Sequence, residues 1–266
     1  MVSSKIFLFS DLDDTLIQTT RKTDFSRETV VGGYDKEGKI SSYMYKNSKY
    51  FLDKIMDSGH FEFIPTTARN LESYSRTIFY KNYNFEYAIL NFSGVIIQNN
   101  RIDIHWQTEV KRNFFKLSIN IADLLQLTER YFYENLDSKY MPIIKNIDNQ
   151  YISIYNKKFR EQPEMTKLVS KVVMEFIYKY KLTTDFYVYK NDASFGILPK
   201  FLNKKNAVNY IIERYNPPFV IGAGDNVSDL DFMNLADFSL IPRGSTLNKI
   251  TGEYVRNSFI KSSNGE

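Results

Sequence analysis

Near its start the chain has four consecutive apolar residues, Ile6-Phe7-Leu8-Phe9, bounded by polar positions on both sides. A continuous block of this kind fits a strand buried on both faces of a parallel sheet, not the alternation of a half-exposed one. Comparable blocks recur at Phe61 to Pro65, Tyr87 to Leu90, Phe219 to Gly222 and Phe238 to Ile241, with helical sequence at about Asn47 to Ser58 and at Lys204 to Tyr215. Strands alternating with helices predict an α/β fold around a parallel sheet. Glu28 to Tyr34 and Lys39 to Tyr45 flank Asp35-Lys-Glu-Gly38, which predicts a hairpin.

From about His105 the pattern changes. It predicts a long helix from Glu109 to Glu134, strands at Ile143 to Asn146 and Tyr151 to Tyr155, a second helix, and strands at Phe186 to Tyr189 and Ser194 to Leu198. In the second helix Met165, Leu168, Val169, Val172, Val173, Phe176 and Ile177 fall on one face at helical spacing. The expected organisation is a discontinuous core, residues 1–104 and 187–266, with a flap hairpin within 18–46 and an inserted α+β domain at 105–186. The last six residues, 261–266, read as a frayed tail.

Composition narrows the chemistry. At 266 residues with 43% apolar and 25% charged side chains, the chain is long enough and apolar enough to build its core without staples. It has no cysteine and two histidines, His60 and His105, so thiol chemistry and Cys- or His-rich metal sites are excluded. Neither histidine has a partner at ligand spacing, and both are expected to be structural or solvent-facing. Any metal must be held by oxygen. The net charge of +4 lacks the clustered basic stripe of a nucleic-acid binder. Residues 105 to 186 carry 13 basic and 10 acidic side chains, so most of the surplus sits in the insert, either as a lid facing an anionic substrate or as a solvated helix surface. No apolar run is long enough for a membrane span, and a cytoplasmic protein without membrane partners is expected. A monomer is expected over an oligomer.

The acids stand at strand ends. Asp11-Leu-Asp13-Asp14-Thr15 follows the first strand, at the carboxyl edge where open α/β sheets place ligands. Taken alone, such an Asp-x-Asp is more often a capping turn. A second cluster, Gly222-Ala-Gly224-Asp225-Asn-Val-Ser-Asp229, follows another apolar strand, and two acid-tipped parallel strands can converge on one hard cation such as Mg²⁺. Thr66-Thr67 ends the strand from Phe61, and Lys204 starts a helix. Carboxylates for a metal with a hydroxyl and an ammonium for phosphate oxygens are what phosphoryl transfer requires. Competing motifs fail: an EF-hand from Asp11 meets Leu16 where glycine is needed, a dinucleotide fingerprint from Gly222 meets Val227, and no Walker-type phosphate loop occurs.

This ordered set, Asp11-Leu-Asp13-Asp-Thr15, Thr67 (or Thr66), Lys204 (or Lys205) and Gly224-Asp225-Asn-Val-Ser-Asp229, resembles the haloacid dehalogenase superfamily of phosphohydrolases over residues 6 to about 242. The resemblance implies a Rossmann-like parallel-sheet core. The insert between the threonine and lysine motifs reads αββαββ once the strands up to Leu198 are counted, and is similar to the C2-type cap of Cof-like, sucrose-phosphate and mannosylphosphoglycerate phosphatases. Asn91-Phe-Ser-Gly94 resembles the Asn-Gly turn those proteins carry before the cap.

By that resemblance Asp11 is the nucleophile, Asp13 the general acid and base, and Thr67 and Lys204 hold the phosphoryl oxygens. Mg²⁺ would lie between Asp11, the Asp13 backbone carbonyl and Asp225, with Asp229 beside it or completing the site. The implied substrate is a small phosphorylated metabolite such as a sugar phosphate, and Arg160, Lys157, Lys158 and Asn191 are the candidates for setting specificity. Phosphotransferase or phosphomutase activity, a phosphatase of nucleic-acid or protein ends, and a non-catalytic binding protein are the alternatives. The chain departs from the pattern at Asp14, at Ala68 in place of the glycine of Thr-Gly-Arg, at Lys205, and in its long segment from Gln18 to Lys46.

Overall fold

The computed structural model describes residues 4–253, so the tail at 261–266 lies outside the described residues. The chain forms two compact units, one of residues 1–107 with 203–266 and the other of residues 108–202.

In chain order the first unit begins with β1 (Ile6–Ser10), β2 (Ile17–Thr19), β3 (Thr29–Tyr34), β4 (Ile40–Tyr45), α1 (Lys46–Ser58) and β5 (Phe61–Pro65). Two short helices follow, α2 (Leu71–Tyr74) and α3 (Ile78–Asn82), then β6 (Tyr87–Leu90), β7 (Val95–Gln98) and β8 (Arg101–Ile102). Helix α4 (Ile104–Phe114) leads into the second unit, which holds α5 (Ile121–Asn135), β9 (Ile143–Ile147), β10 (Tyr151–Tyr155), α6 (Pro163–Lys179), β11 (Phe186–Asn191) and β12 (Ser194–Pro199). The first unit resumes with α7 (Lys204–Tyr215), β13 (Val220–Ala223), α8 (Leu230–Met233) and β14 (Phe238–Leu240).

Four parallel strands, in the order β14-β13-β1-β5, form the centre of the first unit. Because β1, β5 and β13 run the same way, Asp11, Thr66 and Gly224-Asp225 leave the sheet at one edge. The apolar blocks supply the core here, with Leu8, Phe9, Phe63 and Ile64 essentially without solvent contact. The predicted third strand, β6, meets the end of β5 in parallel at the Thr66–Ile89 bridge, with the Thr67 amide donating to the Ile89 carbonyl at 2.9 Å, and it also pairs antiparallel with β7, which pairs with β8. The expected flap hairpin is a three-stranded antiparallel sheet, β2-β4-β3, because Ile17–Thr19 adds to the free side of β4.

The second unit packs α5 and α6 over an antiparallel sheet ordered β11-β12-β10-β9. The apolar stripe of α6 is buried at Val169, Val172, Val173, Phe176 and Ile177. The single long helix expected from Glu109 to Glu134 is two helices. The chain breaks where Ser118 gives its amide and hydroxyl to Asp185 at 2.9 and 2.5 Å and Asn120 caps α5 by accepting the Asp123 amide at 2.9 Å. The unit runs to residue 202, past the boundary at 186 expected from sequence, because β12 pairs on both sides with its strands.

Candidate active site

Asp11 continues β1 by one residue, its amide donating to the Ala223 carbonyl at 2.9 Å. The chain then turns sharply. Asp14 sits at φ 64°, a left-handed conformation aspartate tolerates better than most residues, and its amide bonds the Ile17 carbonyl at 2.7 Å. The turn lets the Thr15 hydroxyl donate to Asp11 Oδ2 at 3.2 Å. At the second acidic strand end, Gly224 is required by space. A Cβ there would lie 2.5 Å from the Cβ of Asp229, which is closer than side chains approach. Asp229 also accepts the Asn226 amide at 3.2 Å in a capping box that fixes its carboxylate.

Helix α7 brings the cation. Asn203 caps it, and Lys204 at its first position reaches Asp11 Oδ1 at 2.6 Å and Asp229 Oδ1 at 2.7 Å. Lys205 is exposed, so Lys204 is the lysine that meets the acids.

One carboxylate oxygen each from Asp11, Asp225 and Asp229 lies within 4.8 Å of the others, and all three residues are buried. Burial pushes the Asp11 carboxyl up to about 8, Lys204 pulling it down while Asp229 and Asp13 push it further up. Asp225 is pushed up to about 7 by burial and by the charges of Asp229 and Asp14. Burial works against the Lys204 charge, yet Asp11 and Asp229 outweigh it and hold the ammonium above its ordinary range. Three carboxyl groups around one ammonium make a donor set of oxygens that fits a hard divalent cation.

Thr66 and Thr67 are both buried but face different duties. The Thr66 hydroxyl donates back to the Ile64 carbonyl at 3.1 Å, whereas Thr67 Oγ1 accepts the Arg69 amide at 3.2 Å. The left-handed turn Asn91-Phe92-Ser93 packs against the same loop, with Asn91 and Phe92 amides donating to the Arg69 and Thr67 carbonyls at 2.8 and 3.4 Å. Asp13 is held by Arg69, whose Nε and Nη2 each donate to a carboxylate oxygen at 2.7 Å. Burial opposes the Arg69 charge, but Asp13 beside it raises the guanidinium above its ordinary value. Arg69 was not among the residues singled out from sequence; an arginine two residues beyond a strand-ending threonine was the available signal. Lys22, on the flap, pairs with Asp14.

The four specificity candidates lie in the second unit. Arg160 pairs with Asp192 at 2.6 Å, Lys158 stands over the Phe159 ring at 4.7 Å, Asn191 ends β11 opposite Ser194, and Lys157 opens a short 3-10 turn. His60 and His105 are exposed. Among the described residues no helix is long and apolar enough to cross a membrane.

At the level of sequence no family model and no curated protein matches the chain. Solved structures do. The sucrose-phosphatase of Synechocystis sp. PCC6803, solved with sucrose and phosphate, is 12% identical with a TM-score of 0.58 over 96% of this chain and 98% of that one. The C-terminal domain of trehalose-6-phosphate phosphatase from C. albicans is 16% identical, TM-score 0.56, over 87% and 73%. A haloacid dehalogenase-like hydrolase from Bacteroides thetaiotaomicron is 11% identical, TM-score 0.52, over 89% and 94%. The chain therefore has the fold of the haloacid dehalogenase-like phosphatases, an α/β parallel-sheet core interrupted by an α+β insert.

Proposed function

We propose that this protein is a Mg²⁺-dependent phosphomonoester hydrolase acting on a small phosphorylated metabolite of the sugar-phosphate class, through an aspartyl-phosphate. The observation that carries the reading is Lys204 bridging Asp11 and Asp229 at 2.6 and 2.7 Å, with Asp225 and Thr67 at the same sheet edge. The likeness in fold to proteins named for sucrose and trehalose-6-phosphate supports the substrate class.

In this reading Asp11 Oδ attacks phosphorus and the ester P–O bond breaks, the electron pair leaving with the alcohol oxygen. Asp13 gives that oxygen a proton. Asp13 then takes a proton from water as the water attacks the aspartyl-phosphate, releasing inorganic phosphate and restoring Asp11. Lys204 and Thr67 hold the phosphoryl oxygens, and Thr15 keeps the Asp11 carboxylate aimed by its 3.2 Å bond. Asp11, the Asp13 carbonyl and Asp225, with Asp229 beside them, would hold Mg²⁺, which would supply neutralisation of the phosphoryl charge.

The test is Mg²⁺-dependent phosphate release over a panel of sugar phosphates, nucleotides and phosphorylated polymer ends, for wild type and Asp11→Asn. Wild type is expected to turn over a sugar phosphate, and the variant to lose about three orders of magnitude or more. A folded, metal-loaded wild type as inert as the variant across the panel would overturn the hydrolase reading, and a nucleotide as best substrate would overturn the substrate class alone.

A further inference from the structure

Arg69 grips Asp13 with two parallel N–H···O bonds of 2.7 Å, the fork with which a guanidinium also grips a phosphate. Its remaining terminal nitrogen, Nη1, donates to the Ser73 carbonyl at 3.3 Å, which fixes the direction of the side chain. Its backbone amide is bonded to the Thr67 hydroxyl, and its charge is felt by Asp11 as well as by Asp13. One cation therefore sits among the three groups to which the hydrolase reading gives the nucleophile, the phosphoryl hydroxyl and the proton donor. Both Asp13 oxygens are engaged by the guanidinium, which holds the group in the orientation Arg69 sets.

We propose that Arg69 is an exchange residue. In the substrate-free protein it clamps Asp13; when a phosphoryl dianion arrives, the guanidinium moves its N–H bonds to phosphoryl oxygens and releases Asp13 toward the leaving oxygen. The dianion competes because it offers more charge in the same bidentate geometry. Asp13 can turn because its side chain is 37% exposed, against 17% for Arg69. The device keeps the acid–base group occupied until there is something to hydrolyse. This inference rests on the hydrolase reading and deepens it.

Exchange makes Asp13 a competitor of phosphate for Arg69, which a static brace is not. The experiment is calorimetric titration of inorganic phosphate, at saturating Mg²⁺, into wild type, Asp13→Ala, Arg69→Met and the double variant, with Arg69→Gln replacing Arg69→Met should that variant not fold. Exchange expects Asp13→Ala to tighten phosphate about tenfold when Arg69 is present and less than about twofold when it is absent, and Arg69→Met alone to weaken it about tenfold. An equal gain with and without Arg69 would reduce the effect to removal of a neighbouring negative charge and overturn the proposal. Unchanged phosphate affinity in Arg69→Met would overturn it too, by showing that the guanidinium never meets phosphate. Phosphate binding by none of the four proteins would count against the hydrolase reading itself, and exchange would fall with it.

Discussion

The two units bury different things. Among the described residues, the buried carboxylates Asp11, Glu62, Asp103, Asp225 and Asp229 all belong to the first unit, while the buried polar residues of the second, Thr128, Gln150, Ser153 and Asn156, are uncharged. The second unit is held by an apolar cluster in which Leu124, Phe132, Ile152, Ile154, Val173, Phe176 and Ile197 have no solvent contact. A buried carboxylate is costly unless it is paired. Glu62 and Asp103 are paired, with Lys5 and with Arg214, and serve the fold. Asp11 and Asp229 share the ammonium of Lys204 and Asp225 offers a carboxylate oxygen within 4.8 Å of theirs, a crowding of acids that fits a further cation.

The sharpest break in this contrast comes from the apolar side. Phe176→Ala opens a cavity in the second unit's core and is expected to cost about 3–5 kcal/mol, measured by urea denaturation. Asp225→Asn is expected to act in the opposite direction. It removes a buried charge and is expected to stabilise the metal-free protein by about 1–2 kcal/mol after discounting for solvent screening, and to abolish the upward shift of the melting temperature expected of wild type with Mg²⁺. A variant less stable without metal would show that Asp225 is a structural acid.

The pH dependence sharpens the same point. Asp11 and Asp225 release their protons near 8 and 7 in the folded chain, against about 4 once unfolded. The folded state thus binds more protons between these limits, and the stability these groups contribute is present below about 4 and lost as pH rises through 7 and 8. The metal-free protein is expected to melt at a higher temperature at pH 6 than at pH 8, with Mg²⁺ flattening the difference; thermal scans at both pH values with and without metal decide it. The smallest effect is expected in the second unit. Asp192→Ala breaks the partly exposed pair with Arg160 and should change stability by no more than about 1 kcal/mol; a larger loss in denaturation would mean that this pair organises the turn around it.

What was legible in the sequence follows the range of the physics that writes it. Apolar blocks ending in acids gave β1 and β13 and the placement of Asp11 and Asp225, because burial and strand direction are encoded within ten residues. The stripe of α6 was equally local. The break between α4 and α5 was not, since it depends on Asp185 reaching Ser118 from 67 residues away. Nor was the clamp on Asp13, whose partner is 56 residues distant on a loop without periodicity. The third strand of the flap, three residues long, is below the length at which a pattern can be read.

The interleaving of the sheet has a consequence for how the chain is made. β13 lies between β14 and β1, so one side of β1 has no neighbour until residue 220 has been synthesised, whereas the second unit is complete at residue 202. A protein emerging from the ribosome in this order should finish its insert first and hold a half-built parallel sheet open behind it. The Lys204–Asp11 contact, spanning 193 residues, belongs to the closing stage. The acids thus spend synthesis hydrated, and their desolvation is deferred until the late strands can share in it.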